Sequence, residues 1–182
     1  MSPPLRTRAD REALWGGLAD RTIQVVGTDH CPFDFAQKRR LGGESFLRCP
    51  NGAPGIEARM PLLFSEGVAK GRITLARLSE ITALHPAKIM GLYPSKGAIE
   101  PGADADLVVF DAERHETISH SLLHERVDYT PYEGIEVRGY PVMTLLRGKI
   151  IVQNGVFSGD AGSGSFVYRQ KPTLSPVDLF GG

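Results

Sequence analysis

The sequence predicts an α/β protein whose helices come first and whose strands come last. Three observations carry that prediction. Apolar residues recur at helical spacing in Leu14, Trp15 and Leu18, through 56–68, and in Leu75, Leu78, Ile81 and Leu84. A single β-branched run, 23–28, separates the first helical pattern from the others. After Gly91 the helical period stops, and short β-type runs separated by Gly, Asn and Asp take over.

The elements follow in order. Thr7 and Asp10 have capping-box spacing, with an acid of shorter reach where Glu is usual, and open a helix that stops near Gly16-Gly17 or Asp20. Residues 23–28 read as a strand ending abruptly in Asp29-His30-Cys31-Pro32, where proline removes the next ladder donor. Residues 34–55 read as a charged, Gly- and Pro-containing loop, long enough to be functional or a lid. Residues 56–68 read as a helix with Pro61 in its first turn. Thr74 is placed to cap the next helix, and Pro86 breaks it and starts a short further one. Beyond that, 97–99, 107–110, 117–119 and 127–129 read as strands. Residues 142–146 and 150–153 flank Arg147-Gly148-Lys149 as a hairpin, and Asn154-Gly155 signals a tight turn. From Gly159 the chain reads as an arm, partly disordered.

Composition limits the function. The 182 residues carry 21 basic and 21 acidic side chains, so the net charge is zero, without the basic surplus that nucleic acid or an anionic membrane needs. Apolar runs of a few residues do not make a membrane span. The N-terminus lacks a signal-peptide pattern, and the two cysteines, Cys31 and Cys49, form neither a CxxC pair nor a disulfide framework, so a reduced, cytoplasmic setting is expected. Each cysteine reads as a small buried hydrophobe.

The sharpest chemical feature is Asp29 at the end of a strand, because the carboxyl ends of parallel strands carry the sites of α/β folds. By type it can be a metal ligand, a general base, or both, while from spacing alone an N-cap or turn residue is the more common case. His30 reads as a hydrogen-bonded packing histidine. His85, His115, His120 and His124 form no HxH or HExxH pattern, and no GxSxG, Walker or GxGxxG motif occurs. The glycines at 42–43 and in 52–55 suit either close approach of backbone to a ligand or plain turn chemistry.

Several segments together resemble one family. They are Met-Ser-Pro-Pro-Leu-Arg at 1–6, Thr-Asp-His-Cys-Pro-Phe at 28–33 and Pro-Asn-Gly-Ala-Pro-Gly-Ile-Glu at 50–57. His-Pro-Ala-Lys-Ile-Met-Gly-Leu-Tyr-Pro at 85–94, Lys-Gly-Ala-Ile-Glu-Pro-Gly-Ala-Asp-Ala-Asp-Leu-Val-Val at 96–109, Val-Asp-Tyr-Thr-Pro-Tyr-Glu-Gly at 127–134 and Arg-Gly-Lys at 147–149 continue the series. In this order they are similar to the dihydropyrimidinases and D-hydantoinases, cyclic-amide hydrolases of the amidohydrolase superfamily, from residue 1 to about 171.

The resemblance implies the C-terminal part of a metal-dependent (β/α)8 TIM barrel plus the C-terminal share of a small β-sandwich domain. Residues 1–94 would be the last barrel strand and its helices, 95–158 the small β-rich domain, and 159–182 the arm. It implies ring-opening of dihydropyrimidines or 5-substituted hydantoins to N-carbamoyl amino acids at a binuclear zinc centre. Asp29 matches the family's aspartate that both ligates metal and moves the proton from the bridging hydroxide to the leaving nitrogen. Ser2 and Asn51 match positions whose backbone groups hold the edge of the substrate. The family's HxH pair, carbamylated lysine and two further histidines lie upstream of the matching region, so the isolated chain is expected to retain no zinc centre and to be inactive. The partner is then a small cyclic amide, with homo-oligomerisation expected, since the full-length family forms tetramers. The alternatives are a non-catalytic assembly protein, like the family's collapsin response mediator proteins, or an inactive gene fragment. Cys-Pro-Phe at 31–33 and Pro-Asn-Gly at 50–52 look enzyme-like.

Overall fold

The computed structural model describes residues 4–170. Helix α1 spans Arg8–Ala19, and Thr7 and Asp10 form the expected capping box. An extended segment, 23–29, follows. Helix α2 occupies Phe35–Glu44 and is followed by a short turn at Phe46–Arg48. The 34–55 region is therefore half helix, which corrects the expectation of a continuous loop: the run Phe35 to Leu41 contains good helix formers, and Gly42 and Gly43 fall only in its last turn.

Helix α3, Arg59–Leu63, carries Pro61 near its start and widens into a π-type turn at Phe64–Val68, where the Ala69 N–H reaches the carbonyl of Phe64 at 2.8 Å. Helix α4, Leu75–Ser79, is capped by Thr74, whose hydroxyl accepts the Arg77 N–H at 3.1 Å. A second wide turn at Glu80–Leu84 leads into α5, His85–Ile89, with Pro86 in its first turn.

The strands make one antiparallel sheet in the order β1-β2-β3-β4, with β1 Leu107–Thr117, β2 Glu136–Leu146, β3 Lys149–Gln153 and β4 Val156–Phe157. The β2–β3 hairpin stands where expected, and the Asn154-Gly155 turn has both residues at positive φ, +49° and +79°, the geometry of a type I′ hairpin. Residues 97–99 and 127–129, expected as strands, join no strand. Gly97 at φ +85° turns the chain away, and Asp128 is used instead to accept the Phe35 N–H at 2.6 Å.

Two apolar clusters hold these parts. Leu18, Leu63, Phe64, Ile73, Leu78 and Ile81 form the helical one, and Ala58, Ile118 and Val137 form the one beneath the sheet. Phe64 meets Phe110 of β1 with ring centroids 4.7 Å apart, so α3 and its wide turn join helices to sheet. Among the described residues no helix is long and apolar enough to cross a membrane.

Candidate active site

The extended segment 23–29 is fastened to the helices by basic side chains. Buried Arg77 donates to the carbonyls of Leu18 (2.7 Å) and Ile23 (2.6 Å), His85 Nδ1 lies 2.9 Å from the carbonyl of Gln24, and Arg59 donates to that of Val26 at 3.2 Å. Each takes up a carbonyl that no sheet supplies with a partner. Asp29, at the end of this segment, is exposed and has φ +46°, a left-handed conformation that Asp tolerates better than most residues. The strand expected over 23–28 is present in shape, yet among the described residues it pairs with no strand, and the isolated bridge between His30 and Ala53 lies just beyond it.

That bridge joins Asp29's neighbour to the loop bearing Asn51. The Cys31 N–H donates to the Ala53 carbonyl at 3.2 Å, and His30 Nδ1 accepts the N–H of Gly55 at 3.2 Å and of Ile56 at 3.4 Å. Gly52, at φ +112°, lies so close that a Cβ would fall 2.5 Å from Cys31 Cβ, so only glycine fits. Lys38 of α2 reaches the same loop. Its ammonium donates to the carbonyl of Pro50 at 2.7 Å and to that of Gly52, the residues on either side of Asn51. Asn51 itself is exposed. His30 is thus hydrogen-bonded, as expected, and what it holds is the candidate substrate loop.

A second row of polar groups supports the loop from below. Glu125, its side chain 4% exposed, accepts the Glu57 N–H at 3.1 Å and sits 3.9 Å from His30 Nδ1. The Glu57 carboxylate accepts the His124 N–H at 2.7 Å and pairs with His124 Nδ1 at 2.8 Å, while His124 Nε2 meets the Gly155 carbonyl at 3.0 Å. The Glu57 hydrogen bond and charge push the His124 pKa up. Burial, with the Glu125 charge adding to it, raises that of Tyr132, whose ring lies against Gly55. Lys38, Glu57, His124 and Glu125 are the site residues that reading the sequence missed. Lys38 lies on α2, Glu57 ahead of α3, and His124 and Glu125 next to one another in a later loop, so only the fold brings these three segments together.

Ser2 lies outside the described residues. Among those described, no group of three His, Cys, Asp or Glu side chains converges to hold a metal ion. Asp29 alone does not fill a coordination sphere, so these donors do not fit the centre that the family resemblance implies. Cys31 and Cys49 are free and half-buried rather than fully buried.

The amidohydrolase family model matches residues 2–151. The chain belongs to the amidohydrolase family. It is 48% identical over 177 residues to a D-phenylhydantoinase of Escherichia coli, an alignment that covers 97% of this chain and 38% of that protein. A crystal structure of D-hydantoinase superposes with a TM-score of 0.90 at 45% identity, covering 93% of this chain and 37% of that one. A dihydropyrimidinase from Brevibacillus agri gives 0.89 at 46% identity, covering 92% and 36%. The amidohydrolase chain therefore spans well under half the length of the relatives it matches. Its α/β fold is a part of the barrel-type scaffold that these hydantoinases share.

Proposed function

We propose that this chain is the proton-handling and substrate-edge portion of a metal-dependent cyclic-amide hydrolase of the dihydropyrimidinase or hydantoinase type. The observation that carries the reading is the stitching of Asp29 to the Asn51 loop through His30, Cys31 and Ala53. The residues next to Asp29 are tied to the loop that carries Asn51, and hydrolysis of a ring amide needs both a carboxylate and backbone groups that hold the substrate edge. Asp29 accepts a proton from the attacking water as its oxygen bonds to the amide carbon. It returns that proton to the ring nitrogen as the C–N bond breaks, so the carboxylate is regenerated. Asn51 and Ser2, in the same role, hold the amide edge by their backbone groups. Zinc is the metal proposed, with Asp29 as one donor and the others outside this chain.

The named relatives support the class of substrate, a small cyclic amide. The proposed division of labour follows the chain: barrel elements through 94, the small β-rich domain over 95–158, and an arm from 159. Phe166 and Tyr168 in that arm are 80% and 85% exposed, which supports a role in contacts between copies of the chain.

The test is a chimera in which this chain replaces the matching part of the E. coli D-phenylhydantoinase. Hydantoin hydrolysis is expected, and Asp29→Asn should lower kcat by about a hundredfold to ten-thousandfold. A folded chimera without turnover would overturn the reading. The purified chain alone is expected to show neither bound zinc nor hydrolysis.

A further inference from the structure

Both ring nitrogens of His124 meet atoms that only accept hydrogen bonds. Nδ1 lies 2.8 Å from Glu57 Oε1, a carboxylate oxygen, and Nε2 lies 3.0 Å from the Gly155 carbonyl oxygen. A neutral imidazole carries one N–H and serves one such contact. Serving both takes two N–H groups, so the ring is an imidazolium. Among the described residues the ring ion-pairs only with Glu57. Its side chain is 55% exposed, so water reaches the ring and the proton can leave. The other titratable groups nearby face elsewhere. Glu125, the next residue, accepts the Glu57 N–H and lies beside His30. Tyr140 of β2 has its pKa raised by burial, with the Glu57 charge adding to it. The Glu57 hydrogen bond and charge hold the His124 pKa above its ordinary value of 6.5.

We propose that the charged His124 ring is a pH-sensitive latch that ties the β3–β4 turn to the base of the loop carrying Asn51, closed while the ring is doubly protonated and open once it is neutral. The three parts come from separate stretches of chain. Gly155 turns β3 into β4, Glu57 ends the 50–57 segment, and His124 lies in the connection between β1 and β2. Two backbone donors hold Glu57 to that connection whatever the charge on the ring. Its Oε2 accepts the His124 backbone N–H at 2.7 Å, and its own N–H goes to Glu125 at 3.1 Å. Loss of the ring proton leaves these bonds and removes the ion pair. The neutral ring keeps one donor, which holds Glu57 or Gly155 but not both, and the sheet turn parts from the loop. A histidine with its folded pKa above 6.5 stabilises the fold fully below 6.5 and loses that contribution as pH rises through the folded pKa. The latch therefore opens on the alkaline side. It goes beyond the hydrolase reading and does not depend on it.

The test is a titration of the whole chain across neutral pH, read by NMR at the ¹⁵N nuclei of the His124 ring and the ¹³C nucleus of the Gly155 carbonyl. The ring midpoint is expected above 6.5, with the Gly155 shift moving at the same midpoint. Glu57→Gln keeps an acceptor for the His124 N–H and removes the charge, so the midpoint should fall toward 6.5. Salt at about 1 M should lower it as well, because the pair is exposed. His124→Gln should unfold at lower urea than the native chain below pH 6.5, and the gap should close above the native ring's midpoint. A histidine that only packs would leave a gap that does not change with pH. A midpoint at or below 6.5, a Gly155 shift that ignores the ring, or a constant stability gap each overturns the latch. Should His124→Gln fail to fold, the two midpoints in the native chain decide alone. Hydantoin turnover does not enter, so an inactive chimera would overturn the hydrolase reading and leave the latch standing.

Discussion

Lys38 holds the carbonyls on both sides of Asn51, so one ammonium fixes the direction of the peptide groups between them. Hydrogen bonds to a charged donor each contribute about 1.5–3 kcal/mol, more than neutral ones. Lys38→Met should therefore leave the helices intact and loosen 50–55. Amide exchange there should speed up about tenfold or more, and protection unchanged from the native chain would refute the clamp. Gly52→Ala strikes the same loop by another route, since its Cβ collides with Cys31 Cβ. Family resemblance marked Asn51, and residue type alone marked the neighbouring glycines as suited to a close backbone approach or a plain turn. Neither marked Lys38, because a lysine on a charged helix twelve residues upstream looks like any solvated lysine until the loop folds back onto it.

Caps and tight turns were legible because their chemistry is local. Thr74 accepts the Arg77 N–H within one turn, and Thr74→Ala should cost about 1 kcal/mol in urea unfolding. Elements that depend on distant partners were not. Residues 127–129 have strand-like composition, yet Asp128 and Tyr129 are committed to α2, Tyr129 packing on Phe35 at 5.4 Å. The strand 23–28 has the right shape, but among the described residues no strand pairs with it. The turn at His120–Leu122 shows how a single carboxylate secures such an element. Glu133 accepts the His120 N–H at 2.9 Å, and that hydrogen bond, joined by those from Ser119 and the His120 ring, lowers its pKa to about 2. A depressed carboxylate stabilises the fold above its ordinary pKa, near 4.5, and loses that contribution as pH falls toward about 2. Glu133→Gln should thus be less stable than the native chain at pH 6, and the difference should vanish near pH 2. A gap that persists at low pH would assign the loss to packing.

At the scale of the molecule, the question is whether helices and sheet unfold together. Phe64 sits in the helical cluster, stacks on Phe110 of β1, and presses against Gly139 of β2, where a Cβ would come within 2.3 Å of its ring. Ala58, at the start of the same helix, lies in the cluster under the sheet. One short helical stretch therefore carries both cores, and neither can lose it and keep its packing. Phe64→Ala removes a buried aromatic at this junction and should cost about 3–5 kcal/mol. The loss should appear equally in Trp15 fluorescence, which reports α1 and the helical cluster, and in the near-ultraviolet signal of Tyr132 and Tyr140 beside the sheet cluster. Coincident transitions in the native chain, displaced together by the substitution, mean that the two clusters form one cooperative unit. If the Trp15 transition moves while the tyrosine transition stays, the sheet stands without the helices, and the junction at Phe64 is a contact rather than a shared core.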